Sequence, residues 1–143
     1  MAWREMTERE RATLPEGRLG GVLLGMVAVA FLLGVISIAG TLLAFQQLVE
    51  IGARYVIAVG FVTAWSMVFV AMTLLRIRAT PVVASAGLLA WIAYRFAAAM
   101  LGHAGWPVAI DLIGEAISAA GFSAYMCGGV RPNAYFRRRL PTI

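Results

Sequence analysis

Arg95, Asp111 and Glu115 place charge inside long apolar stretches, where it is expensive. Ionisable groups at membrane depth face protein or water and are functional candidates by default. At ~1.5 Å rise per residue, Arg95 lies roughly 22 Å from the inner edge of its span and roughly 8 Å below the outer edge. Asp111 and Glu115 lie roughly 6 and 12 Å deep on the next span, so the two acids bracket the arginine. Spaced i and i+4, both carboxylates share one helix face and can be directed at it. Such a trio either pins two helices by ion pairing or serves as a proton or ion relay or a polar-substrate site. A relay needs polar residues continuing across the membrane. Past Glu115 the span offers Ser118, Ser123, Tyr125 and Cys127, so no complete pathway is visible. Trp91, one turn before Arg95, is placed to stack on its guanidinium.

Other chemistry is sparse. His103, in the turn Gly102–Gly105, is the single histidine, which excludes a bis-histidine haem. Cys127 is the single cysteine, so no internal disulfide forms and no zinc or iron–sulfur spacing exists. The sequence has no nucleophile–base pair, phosphate-cradling glycine loop or metal-ligand cluster. The expectation is a non-enzyme without cofactor.

The elements that position the trio follow from hydropathy. Between Arg18 and Glu50 no residue is charged, and Leu19–Phe45 is almost wholly apolar. That run exceeds the ~20 residues a helix needs to cross a bilayer core. It also exceeds a signal-peptide core, and its flank mixes Glu5, Glu8, Glu10 and Glu16 with arginines, so a retained anchor is expected. Further spans read as 55–75, 80–101 and 106–130. Across the 143 residues, 62% are hydrophobic and 13% charged, with mean hydropathy +0.85. A soluble fold could not hide that much apolar surface, so the chain reads as an all-α integral membrane protein. Short connectors at 46–54, 76–79 and 102–105 make neighbouring helices antiparallel, giving an up-down four-helix bundle over 19–130. Pro81 and Pro107 fall in first turns, where a missing N–H does no harm.

The net charge of +5 comes from twelve arginines without lysine. Ten lie in residues 1–18, at Arg76 and Arg78, and in residues 131–143, against Arg54 alone in the opposite loops. By the positive-inside rule both termini are cytoplasmic, and the arginines do not imply nucleic acid. Residues 1–18 read as a loosely ordered cytoplasmic tail, with Thr7 and Glu10 spaced as a capping box. Residues 131–143 form a basic tail in which Arg131, Tyr135, Phe136, Arg137, Arg138 and Arg139 lie along anionic phospholipid or engage a partner. Gly21 with Gly25, and Gly114 with Ser118, are small-xxx-small pairs that serve either internal packing or docking to another membrane protein. Tyr55 and Trp106 read as interfacial anchors.

Arg18-Leu19-Gly20-Gly21, the arginine-rich loop followed by Pro81, and Val130-Arg131 with Ala134 and Phe136 together resemble the bacterial inner-membrane family called domain of unknown function 2569. Val22 and Pro132-Asn133 depart from its pattern. The resemblance implies four transmembrane helices with both ends inside, and brings no activity or catalytic residue. The expected role is an accessory or assembly subunit of a larger bacterial inner-membrane complex, respiratory or otherwise energy-transducing, bound to other integral membrane subunits. The alternative is a small oligomeric transporter or channel working through Arg95, Asp111 and Glu115.

Overall fold

The computed structural model describes residues 3–102 and 106–142. His103 and the Trp106 side chain lie outside the described residues. In chain order the elements are β1 (Trp3–Glu5), α1 (Glu8–Thr13), α2 (Gly21–Ile51), α3 (Ala53–Leu74), α4 (Thr80–Leu101), α5 (Trp106–Gly128), α6 (Val130–Pro132) and β2 (Arg139–Pro141). Four of these helices, α2 to α5, are long and apolar enough to cross a membrane. In their most apolar stretches only 22, 22, 11 and 11% of residues are buried. Water would not tolerate so much outward-facing apolar surface, whereas lipid does. The protein is a multi-pass membrane protein.

The chain divides into two compact units, Leu19–Ile77 and the remainder, Met1–Arg18 with Arg78–Ile143. In the first, α2 and α3 form an antiparallel hairpin. Its turn is shorter than the nine-residue connector anticipated from composition. Helix α2 runs on through Gln46, Gln47 and Glu50, because a helix satisfies its own backbone whether or not its side chains have left the apolar layer. The reversal is made at Gly52 alone, with φ 131° and ψ 157°, a conformation closed to residues carrying a Cβ. A break at Ala44 (φ −130°) divides α2. It follows Gly40 and Thr41, whose hydroxyl donates to the Ser37 carbonyl at 2.7 Å. Such back-bonding competes with the helical ladder and bends helices. The close approach of the hairpin is at Gly34, where an added Cβ would lie 2.9 Å from Met67 Sδ and 3.4 Å from Ser66 Cβ.

In the second unit α4 and α5 are also antiparallel: Arg95 meets Glu115 near one end, and Ser85 Oγ lies 3.8 Å from Cys127 Sγ near the other. Pro81 stands in the first turn of α4, as its fixed φ favours. Buried Leu112, Ala119 and Met126 recur at seven-residue intervals along α5, a seam one side chain wide.

The two polar ends of the chain form one structure rather than separate tails. Strands β1 and β2 pair antiparallel, Trp3 opposite Pro141 and Glu5 opposite Arg139, and the Met6 N–H donates to the Arg138 carbonyl at 2.8 Å. The capping box is formed: Thr7 Oγ1 accepts from the Glu10 N–H, and the Glu10 carboxylate accepts from the Thr7 N–H at 2.9 Å. Arg4 adds a two-pronged bond to the same carboxylate, one prong at 3.0 Å. Residues 3–18 are thus ordered by local hydrogen bonds that hydropathy does not register. At the other end α6 widens into a π-helical turn over Asn133–Arg137, within which Asn133, Ala134, Tyr135 and Phe136 are buried. Arg131 joins the ends by donating to the Pro15 carbonyl at 3.3 Å.

The Arg4 guanidinium, with the Thr7 N–H and hydroxyl, holds the Glu10 carboxyl down at about 2, against an ordinary 4.5. A depressed carboxyl stabilises the fold only while ionised. Its contribution is complete above pH 4.5 and disappears as pH falls through 2. We expect the Glu10 carboxyl to titrate near 2 by NMR, with exchange protection of the Met6 amide lost over the same range. Titration at the ordinary value would refute the Arg4–Glu10 clasp.

Candidate functional site

Helix α4 carries Leu88, Trp91, Ile92 and Arg95 on one face, at offsets of −7, −4, −3 and 0 from the arginine. Helix α5 carries Glu115, Ser118, Ala119 and Phe122 at 0, +3, +4 and +7 from the glutamate. Helical periodicity makes each set a continuous stripe. The antiparallel pairing brings the stripes together, with the two charges at one end of the shared face. Arg95 Nη2 lies 3.2 Å from Glu115 Oε1, and each side chain is about one-third exposed (32% and 35%). Arg95 Cζ lies 5.8 Å from the centre of the Trp91 ring, in cation–π range. Trp91 in turn leans on Tyr94, with ring centres 5.5 Å apart.

The trio anticipated from the sequence reduces to this pair. Asp111 is exposed, and among the described residues it forms no ion pair with Arg95. The depths estimated from the sequence do not exclude it, since they put Asp111 within roughly 2 Å of the Arg95 level. Side-chain lean decides. Every Cα–Cβ bond on a helix tilts toward that helix's N-terminus. On antiparallel α4 and α5, Arg95 therefore leans away from the α4–α5 turn, over Trp91, while Glu115 leans toward the turn and into its path. Asp111 leans toward the turn as well, away from the guanidinium.

Beneath the pair the two stripes line an open cleft of about 430 Å³, formed by Leu88, Trp91, Ile92, Glu115, Ser118, Ala119 and Phe122. Its walls are almost entirely carbon. Ser118 spends its proton on the Gly114 carbonyl at 2.9 Å. The Glu115 carboxylate is only half used: Oε1 serves Arg95, whereas Oε2 is buried and meets no donor among the described residues. From the sequence, Trp91 beside Arg95 and Ser118 past Glu115 were legible, but the cleft between them, its volume and the orphaned oxygen were not.

The remaining anticipated residues are dispersed. Gly21 is the first residue of α2, with φ 56°, and serves the entry to the helix rather than a helix face. An added Cβ at Gly25 or Gly114 would meet nothing within 4 Å beyond its chain neighbours and its own helix backbone. Gly34, one glycine among many in the sequence, holds the close contact instead. In the C-terminal segment Tyr135 and Phe136 pack edge to face at 4.9 Å and are buried, not spread along a surface. Asn133 fixes this turn, donating from Nδ2 to the Cys127 and Gly129 carbonyls at 3.1 and 2.9 Å and accepting from Arg137 at 3.2 Å. Arg138 and Arg139 are left exposed. Arg54 stacks over Tyr55 at 5.1 Å. A second cavity, about 330 Å³, lies in the α2–α3 hairpin beside the Ala44 break and is lined by Thr41, Leu42, Phe45, Val56, Gly60 and Thr63 among others.

No protein-family model, characterised protein or solved structure matches the chain.

A charge deprived of its partner away from water is worse than no charge at all. We therefore expect Arg95→Met alone to destabilise the protein by about 1–3 kcal/mol more than Arg95→Met with Glu115→Met. Asp111→Asn should stay within about 0.5 kcal/mol of the parent. Thermal unfolding in detergent reads all three, and equal stability of the single and double variants would break the pairing.

Proposed function

We propose that this chain is a non-catalytic accessory or assembly subunit of a larger bacterial inner-membrane complex, of the respiratory or other energy-transducing kind. Its helices form an up-down four-helix bundle with both ends in the cytoplasm. The β1–β2 ladder supports that topology, since strands that exchange hydrogen bonds lie in one compartment. The arginine distribution supports the cytoplasmic side. The kinship with domain of unknown function 2569 belongs to the same proposal and adds topology, not activity.

The observation that carries the reading is the unfilled small-residue face of α5. Gly114 and Gly121 are seven residues apart, two turns along one side, and an added Cβ at either would meet nothing within 4 Å. In lipid, helices associate through close backbone approach at small residues, because apolar burial supplies no drive there. An open face of this kind accepts a helix of another subunit. Exposed Arg138 and Arg139 are left for anionic phospholipid beside it.

A second reading, a small oligomeric transporter or channel using Arg95, Asp111 and Glu115, is favoured by the half-used Glu115 carboxylate beside a cavity. Flux through reconstituted vesicles separates the two: transport abolished by Glu115→Gln supports the second reading and counts against the first.

After mild-detergent extraction we expect the chain to migrate on native gels in an assembly much larger than itself. Gly114→Leu should release it without lowering its own unfolding temperature. Migration only as a free monomer would overturn the subunit reading. Reporter tags on the two ends should both signal from the cytoplasm, and opposite signals would overturn the topology.

A further inference from the structure

We infer that the α4–α5 cavity is a binding site for a small, uncharged, lipophilic molecule carrying one hydroxyl donor, such as a phenol or a ring-bearing alcohol, recognised by Glu115. The inference does not depend on whether the chain docks onto a larger complex. At about 430 Å³ the cavity falls within the size range of small-molecule sites, roughly 300–1,000 Å³. Such sites pair apolar and aromatic walls with a few placed polar groups. Here the walls are Leu88, Trp91, Ile92, Ala119 and Phe122, and the polar group is the Glu115 carboxylate.

Charge selects the ligand class. Arg95 already neutralises Glu115 at 3.2 Å and occupies the Trp91 face, so a cationic guest that took the carboxylate would leave the guanidinium uncompensated. An anion would meet the carboxylate. A neutral molecule meets neither penalty, and its hydroxyl supplies the donor that Oε2 lacks. A buried acceptor without a donor is unfavourable, so a guest that supplies one gains more than its apolar contact. The torsion that turns a glutamate carboxylate is broad and nearly two-fold. The free oxygen can therefore swing toward the cavity while the other stays within reach of Arg95. Exposed Ser118 stands at the edge and offers no competing donor, because its proton is held by Gly114.

The test is calorimetric titration of the full chain in lipid nanodiscs, with empty discs subtracted, using naphthol, methoxynaphthalene and tetraphenylphosphonium as probes. Naphthol should bind saturably, and methoxynaphthalene, which lacks the donor, at least about tenfold more weakly. Glu115→Gln should weaken naphthol by a similar factor and leave methoxynaphthalene unchanged. Ser118→Phe, which adds a ring at the cleft edge while leaving both charges in the chain, should weaken both. Equal affinity for naphthol and its ether, tighter binding of the phosphonium, or naphthol binding indifferent to Ser118→Phe would each overturn the site. The probe comparison on the unsubstituted chain and the Ser118 variant decide the matter even if Glu115→Gln fails to fold.

Discussion

Away from water, an arginine and a glutamate on neighbouring helices must neutralise each other, and that requirement fixes how α4 and α5 meet. Apolar side chains cannot do this alone, since a leucine facing lipid is as well solvated as one facing another helix. A slip of one turn along the α4–α5 seam would exchange one set of carbon contacts for another of similar worth. It would also separate Arg95 from Glu115 and leave two charges unpaired in an apolar layer. The ion pair thus sets the register, and the register sets the cavity. Leu88, Trp91 and Phe122 line one space because the charges one or two turns away are held together.

The polar ends solve a complementary problem. Outside the apolar layer, backbone groups compete with water, and short helices there are marginal without caps. Residues 3–18 answer with the Thr7–Glu10 capping box, the Arg4 bond to the same carboxylate, and a three-residue ladder to the far end of the chain. The C-terminal segment answers by burying Tyr135 and Phe136 and by tying its turn with Asn133. Arginine therefore does three different jobs in this protein. Arg4 and Arg131 knit the ends, Arg95 sets a helix register, and Arg138 and Arg139 remain outward.

These features bear on function by what they combine. A half-used carboxylate above a carbon-lined cavity is suited to holding a ligand, and open glycine faces on α5 are suited to another helix. Both lie along α4 and α5, so a ligand in the cavity and a partner on the open face would share one helix.

The sequence by itself determined the solvent of this protein and its four long apolar helices. Runs of apolar residues longer than a bilayer is thick admit one outcome, because lipid leaves unpaired backbone groups no alternative to the helix. It also put Arg95 and two acids of the next span at similar depth, within reach of one another. Which acid was a matter of tertiary structure: Asp111 and Glu115 share a helix face, and only the opposed lean of side chains on antiparallel helices prefers Glu115. The ordering of the two ends was likewise beyond hydropathy, since it rests on strands contributed by residues more than 130 positions apart. The close-packing glycine was hidden for the same reason. Gly34 differs from Gly25 and Gly40 in nothing but what stands opposite, and that is set by the single-residue reversal at Gly52. Periodicity along one chain reports which face a residue occupies, whereas the identity of its neighbour depends on where the chain turns.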